Sequence, residues 1–314
     1  MLKYLVILLD DSSVSYCHYD NSNEMNLIPL EILQKAILFA MKNNLKIQYV
    51  LPQGILPHSY TEAINSMFHD NIGSIGQEEL ADVIVVNGME GLTENESKLD
   101  ASKRYVVRTT FNEFLERYNL LKIVFERNIS VNVLFKNIES FTDDQIVKYQ
   151  TVLNDLGACL NNIILNGGNV NTNILTDRIA LDEMNNCGAG DTSITLAPNG
   201  KFYPCPAFYY DNDSYCECGG IETELSIRNE KLFTLEGSPL CKRCDAYHCK
   251  RCAWLNKKLT YEVNTPSRQQ CVMAHVERNA SKDLLDMFHQ SNLLLEKKID
   301  SIDYLDPFDS YNDL

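Results

Sequence analysis

The chain has 314 residues, of which 45% are hydrophobic and 23% are charged, and its formal net charge is −15. This length and composition are ordinary for a globular protein with one large domain and a smaller one. The acidic balance argues against a nucleic-acid partner, because phosphate contacts need a basic face.

Apolar runs and amphipathic segments alternate over the first 180 residues. A continuous apolar run over 3–9 predicts a strand that is covered on both faces, and helical spacing of apolar residues predicts a helix over 29–41. Further strands are predicted over 45–51, 81–86, 105–109, 130–135 and 161–165, and further helices over 60–68, 112–127 and 143–156. This α/β alternation implies parallel pairing, in either a partial (β/α) barrel or a doubly wound sheet.

The N-terminal apolar run has some features of a secretion signal. It is short, however, Asp10 and Asp11 end it, and no small-residue cleavage site follows, so a buried strand is the better interpretation. No stretch approaches the roughly 20 apolar residues needed to cross a bilayer. We therefore expect a cytoplasmic protein with no membrane partner, in a compartment where disulfides are rare.

The composition changes after Gly167 and Gly168. Residues 185–275 are rich in Cys, Tyr, Asn and Gly, so apolar burial alone is a weak source of order there, and we expect cofactor ligation to contribute. A helix is predicted over 281–298, followed by aspartates between aromatic residues. The sequence therefore predicts a domain over 1–180, a metal-binding domain over 181–278, and a helix with an acidic tail over 279–314.

Nine of the eleven cysteines fall in the second predicted domain. They are the candidate metal ligands: Cys187, Cys205, Cys216, Cys218, Cys241, Cys244, Cys249, Cys252 and Cys271. Two CxxC pairs separated by only four residues are too close for an ordinary zinc ribbon, so we expect the ligands to divide between two sites. Four thiolates hold either an iron–sulfur cluster or zinc, and the spacing leaves both open.

Other polar and aromatic residues have less specific interpretations. Cys17 is expected to be an ordinary thiol, and Asp10 and Asp11 an acidic turn with no special role. His248 has the chemistry to bind zinc or to hydrogen-bond a cluster sulfur, although a solvated loop histidine is our expectation. The aromatic residues within 202–210 are expected to shield a cofactor or to form local core.

The order of the cysteines resembles the SPASM domain of radical SAM peptide-modifying enzymes. The inner spacings, x4 and x2, are each one residue shorter than that family's usual x5 and x3. The resemblance implies two [4Fe–4S] clusters. One would be held by Cys187, Cys205 and Cys252, with Cys216 or Cys218 as the candidate fourth ligand. The other would be held by Cys241, Cys244, Cys249 and Cys271.

The same resemblance implies a radical-SAM-like partial (β/α) barrel for the N-terminal half, where the sequence departs from the family. The catalytic cluster needs CxxxCxxC in the loop after the first strand, and this chain has Cys17 alone there. The glycine-rich turn with a glutamate that the family carries after the second strand is missing at 51–54. We therefore expect a degenerate barrel with no catalytic residue of its own and no bound S-adenosylmethionine.

The whole chain resembles the CXXX-repeat peptide maturase family, through its opening MLKYLVILLDDSSVSYCHY and the block CGAG…LAPNGKFYPCPAF. This implies an accessory subunit that binds a ribosomally synthesised Cys-repeat precursor peptide and forms a heterodimer with a catalytic radical SAM maturase. Relay of electrons through its clusters would be part of that role. The alternatives are a zinc-stabilised scaffold for peptide or protein binding without a redox role, and an enzyme that uses iron as a Lewis acid.

Overall fold

The structure is a computed structural model that describes residues 2–212 and 214–300. All eleven cysteines lie within these ranges. The part of the predicted acidic tail that follows Asp300 lies outside the described residues.

Eight strands form one sheet. In chain order they are β1 (Tyr4–Leu8), β2 (Lys46–Val50), β3 (His69–Ser74), β4 (Val83–Asn87), β5 (Arg104–Thr109), β6 (Val131–Phe135), β7 (Ser193–Leu196) and β8 (Phe202–Tyr203). Their order across the sheet is β6-β5-β4-β3-β2-β1-β7-β8. The described pairings are parallel except that of β7 with β8, which is antiparallel.

Helices follow most of the strands. They are α1 (Leu30–Lys42), α2 (His58–Ile64), α3 (Glu90–Glu94), α4 (Phe111–Arg117), α5 (Asn119–Glu126), α6 (Asp143–Leu165), α7 (Thr176–Ala180), α8 (Pro206–Tyr210), α9 (Ala253–Thr260) and α10 (Arg268–Gln290). Along the part of the chain that the structure describes, no helix is both long and apolar enough to span a membrane.

Two compact units make up the chain, and each combines two separate stretches of sequence. The first unit contains the residues up to Val85 together with Gly188–Gly237, and the second contains Val86–Cys187 together with the residues from Ser238 onward. The division falls within β4. The boundaries that the sequence predicts near residues 180 and 278 stay a prediction.

Strand β1 is central in the first unit. It pairs in parallel with β2 on one side and with β7 on the other. Leu5, Ile7 and Leu8 are completely buried, as expected for an apolar strand that is covered on both faces. Because the three strands are parallel, the segment after β1 emerges at the edge where α/β sheets place their ligands. We call residues 10–21 the β1 loop.

The second unit has an aromatic core and two long helices. The rings of Phe111, Phe114, Phe135 and Tyr149 meet edge to face, with centroids 5.1–5.7 Å apart. Helix α6 begins at a capping box formed by Thr142 and the residue three positions later. Helix α10 packs against α6 and α7, and it buries apolar residues along its length, from Val272 to Phe288.

The predicted α/β class with a mostly parallel sheet is confirmed, and several elements differ in detail. The strand predicted over 161–165 is wrong, because these residues continue α6. The helix predicted over 112–127 is two helices that meet at Tyr118. The helix predicted over 281–298 begins earlier, at Arg268, and ends at Gln290. Strands β3, β7 and β8 were not predicted.

Candidate metal site and the loop after the first strand

The β1 loop is almost entirely buried at its start. Asp10, Asp11, Ser12 and Ser13 are each less than a tenth exposed. Asp10 accepts hydrogen bonds from the backbone N–H of Ser12 at 2.8 Å and from its hydroxyl at 2.9 Å. Burial raises the pKa of Asp10 above its usual value, and the bonds from Ser12 oppose that rise.

Hydrogen bonds also join the β1 loop to the end of β2. The Ser13 hydroxyl donates to the carbonyl of Val50 at 3.0 Å and accepts from the N–H of Asp10 at 3.1 Å. The Ser12 hydroxyl accepts from the N–H of Gln53 at 3.1 Å. The polar groups at the carboxyl end of β1 are therefore engaged by this chain's own atoms.

Two tyrosines of α8 complete the packing of the β1 loop. Tyr209 donates its hydroxyl to the Asp11 carboxylate, and Tyr210 donates to the Asp11 carbonyl at 3.2 Å. The Tyr210 ring stacks on Tyr19 with centroids 5.2 Å apart. Burial raises the pKa of both α8 hydroxyls, so they stay protonated donors. The aromatic residues expected to form local core do so here.

Four of the predicted metal ligands line a single cavity in the second unit. They are Cys241, Cys244, Cys249 and Cys271, the set that the resemblance assigned to the second cluster. We call the space that they line the cysteine cavity; its volume is about 20 Å³. His275 and Arg251 also line it. The first two cysteines flank a short turn, in which the Cys244 N–H donates to the Cys241 carbonyl at 3.1 Å.

The sulfur of Cys244 has two nitrogen neighbours. It accepts from the N–H of Ala246 at 3.4 Å, and it lies 3.4 Å from Nε2 of His275. The thiolate is the form of cysteine that binds metal. For Cys249, burial raises the pKa to about 12, so a bound metal would have to displace its proton.

Buried charges surround the cysteine segment. Asp245 forms a buried ion pair with Arg278 at 2.7 Å and a longer contact with Lys282 at 3.5 Å. His248 is buried, with Nε2 3.1 Å from the Glu277 carboxylate. The expectation that His248 is a solvated loop histidine is therefore wrong, because α10 covers it and supplies its carboxylate partner.

Two further arginines of the second unit are buried. Arg251 donates to the side chains of Ser238 and Asn186, and the guanidinium of Arg178 lies 4.2 Å from the centre of the Tyr247 ring. Burial lowers the pKa of Arg178, and the nearby Asp245 opposes that shift. Buried cations of this kind favour a neighbouring group with negative charge, which metal-bound thiolates would provide.

The other five predicted ligands lie outside the lining of the cysteine cavity. Cys187 is exposed and Cys252 caps α9, both in the second unit. Cys205 precedes α8 in the first unit, where Cys218 is buried and its pKa is raised to about 12 by burial. Cys216 is also in the first unit, and its carbonyl lies 3.4 Å from the Cys218 sulfur.

The side chains of the cysteine cavity have the chemistry to bind a metal ion, but they are not arranged around a common point as a metal site requires. None of the eleven cysteines, all of which the structure describes, forms a disulfide bond. Within residues 2–212 and 214–300, no group of three or more His, Cys, Asp or Glu side chains is arranged to hold a metal ion. The nine-cysteine ligand set therefore stays a prediction. His275, four residues after Cys271, lines the cavity and was not predicted from the sequence.

Comparison with known proteins identifies the fold. No family model and no curated protein matches the chain. The solved structure of anSMEcpe with bound AdoMet has a TM-score of 0.63 at 13% identity, covering 91% of this chain and 98% of that one. The chain therefore has the fold of that structure, a partial barrel with an open, mostly parallel sheet. The predicted partial (β/α) barrel is confirmed.

Two structures of SuiB from Streptococcus suis are more distant. One is bound to the precursor peptide SuiA and has a TM-score of 0.44, covering 84% of this chain and 74% of that one. The other has a TM-score of 0.39, covering 71% of this chain and 64% of that one. Both are 12% identical to this chain.

Proposed function

We propose that this chain is an accessory, radical-SAM-like subunit in the maturation of a ribosomally synthesised peptide, and that it starts no radicals itself. One observation carries the proposal. The chain keeps the fold, while the β1 loop, where the resemblance implies a catalytic cluster, is filled by its own hydrogen-bonded side chains.

The positions that flank Cys17 explain why the β1 loop is a poor cluster site. In the register CxxxCxxC with Cys17 in the middle, the outer positions are Ser13 and Asp20. Ser13 is completely buried and both donates and accepts a hydrogen bond. Asp20 is exposed. Three thiolates at these positions would have to displace the polar packing around Asp10.

Under this proposal the radical chemistry comes from a catalytic radical SAM maturase that forms a heterodimer with this chain. The precursor is a peptide with cysteine at every fourth position. A groove of about 550 Å³ beyond β2 and β3 in the first unit is our candidate for its binding site. The lining combines apolar side chains such as Ile55 and Leu80 with polar ones such as Asn65, which suits a short peptide segment.

The nine predicted cysteine ligands would hold the metal of this subunit. As two [4Fe–4S] clusters they would relay electrons between an external donor and the catalytic partner. The second candidate function is a zinc-stabilised binding scaffold without a redox role. The small volume of the cysteine cavity favours it, because about 20 Å³ is room for one water-sized particle.

The first test asks whether the chain can cleave S-adenosylmethionine. Anaerobically reconstituted wild-type protein, with a strong reductant, is expected to release no methionine from it. The variant S13C/D20C restores the CxxxCxxC spacing and is expected to remain inactive, because the packing around Asp10 still closes the β1 loop. Turnover by the wild-type chain alone would refute the proposal.

The second test concerns the precursor and the metal. A synthetic peptide with cysteine at every fourth position should bind the full chain in calorimetry, and I55D should weaken that binding at least tenfold. The exposed Leu165, outside the groove, supplies the control variant L165D. Analysis of iron, sulfide and zinc separates the two candidate functions, since only the cluster form contains sulfide.

A further inference from the structure

Helix α10 presents two metal-binding residue types one turn apart. Cys271 and His275 are four residues apart, which places both on one face of the helix. Both line the cysteine cavity. Donors at this spacing on a helix can reach the same metal ion, as the two histidines of an HExxH helix do.

A second pair of donors comes from the turn across the cavity. Cys241 and Cys244 form a CxxC pair, which is a usual source of zinc ligands. Their turn is closed by its own backbone hydrogen bond. Together the turn and the helix supply C-x2-C and C-x3-H, a combination of spacings that suits a tetrahedral ion with nitrogen and sulfur ligands.

One distance across the cavity already has the value that a shared ion requires. Zinc lies about 2.3 Å from sulfur and about 2.0 Å from nitrogen, so two such ligands at a tetrahedral angle are about 3.5 Å apart. Nε2 of His275 and Sγ of Cys244 are 3.4 Å apart. The volume of about 20 Å³ also suits one ion better than the eight atoms of a four-iron, four-sulfide core.

Charge balance points in the same direction. Three thiolates and a neutral imidazole on a divalent ion carry a net charge of −1, whereas four thiolates would carry −2. Arg251 is buried and lines the cysteine cavity, so it offsets the single charge of the mixed ligand set. A buried charge is tolerated where such a partner is close.

We infer that the cysteine cavity binds a single zinc-like divalent ion through Cys241, Cys244, Cys271 and His275, with Cys249 in the wall and not a ligand. The inference rests on the part of the proposed function that assigns metal to the cysteine segment. It changes the ligand set that the resemblance implied. On binding, the ion replaces the protons of three thiols, which leave to solvent.

The test compares a substitution of the proposed ligand His275 with one of the wall residue Cys249. Co²⁺ is added to anaerobically prepared, metal-stripped full chain, and its affinity is measured by chelator competition and by the absorption bands of tetrahedral cobalt thiolates. H275Q should weaken Co²⁺ binding at least about 100-fold, because even residues behind the ligands contribute 10- to 100-fold. C249S should bind within about threefold of wild type.

Two further variants keep the result interpretable. H275C should regain most of the affinity, because cysteine is itself a zinc ligand, and this separates loss of a ligand from loss of fold. C159S changes a thiol outside the cavity and should leave binding unchanged. The inference is wrong if C249S loses the ion while H275Q keeps it, or if wild type takes no Co²⁺ at this site. Peptide binding is measured separately, so its failure would leave this result standing.

Discussion

The β1 loop and the cysteine segment 241–252 differ in how their buried polar groups find partners. In the β1 loop, buried carboxylates and hydroxyls are satisfied by neighbouring serines, tyrosines and backbone groups of the same unit. The cysteine segment contains a short turn and little other regular structure. Three of its thiols line the cysteine cavity, together with Cys271 and His275 of α10 and the buried Arg251.

In the β1 loop the partners are atoms of the protein itself, whereas in the cysteine segment the partner would be a bound ion. Hydrogen bonds within the β1 loop fix it without an external group, so its order should not depend on metal. The thiols around a small cavity stabilise the fold mainly when an ion replaces their protons and binds to them. Order in the cysteine segment is therefore expected to depend on metal content.

Metal removal should have the largest effect. Stripping the full chain with a chelator is expected to lower the free energy of unfolding of the second unit by about 5 kcal/mol or more, since structural metal supplies folding energy directly. Urea unfolding followed by circular dichroism measures the loss. Limited proteolysis should then cut within 238–271 while the β1 loop stays protected. Equal protection of both regions before and after stripping would break the contrast.

The buried ion pair behind the cysteine segment should be the next largest contribution. R278M removes the nearest cation of Asp245 and keeps its longer contact to Lys282, and it should cost about 3 kcal/mol, as breaking a buried pair does. The exposed pair of Arg117 with Glu90 is the control, and R117M should cost less than about 0.5 kcal/mol. Similar losses in the two variants would show that the buried charges are not structural.

The two tyrosines of α8 test the β1 loop. Y209F removes a hydrogen bond to a carboxylate and should cost about 2 kcal/mol, while Y210F removes a bond to a carbonyl and should cost about 1 kcal/mol. Chemical unfolding of the two variants gives the comparison directly. Metal content should be the same in both, because neither residue lines the cysteine cavity. The opposite order of the losses would contradict the assigned partners.

Substitution of Asp10 should have the smallest effect on the free energy of unfolding, and that effect should depend on pH. Its pKa is raised above 3.8 in the folded state, so the native protein binds the proton more tightly than the unfolded chain does. Stability of the wild type therefore falls as pH rises from 3.8 through the raised value. D10N carries no charge, so it should exceed wild type by up to about 1 kcal/mol at neutral pH. The difference should vanish near pH 3, and a pH-independent difference would refute the cause.

Regular hydrophobic patterns made most of the fold predictable. The apolar run of β1 and the amphipathic pattern of α1 are both found within one residue of their predicted bounds. Strand β3 was missed because His69–Ser74 has Ile72 as its single large apolar residue. The end of α6 was read as a strand because Ile163, Ile164 and Leu165 are adjacent, although Leu153, Leu156 and Leu160 continue the helical spacing.

The sequence predicts the cysteines of the candidate site but not its histidine, His275. Spacing alone grouped Cys241 with Cys244, because a CxxC turn is local. His275 was missed because the predicted C-terminal helix began at 281, which hid its position one turn after Cys271. The carboxylate partner of His248 was equally invisible, since Glu277 lies 29 residues further on and only the packing of α10 brings it near.

The pairing of β1 with β7 has a consequence for synthesis of the protein. Tyr4 lies opposite Ser193, so a growing chain that has not yet reached Leu196 has an unpaired edge on one side of its most apolar strand. Such an edge is a template for association with other chains. Completion of the first unit must wait until Gly188–Gly237 has left the ribosome, and a chaperone that shields β1 in that interval would raise the yield.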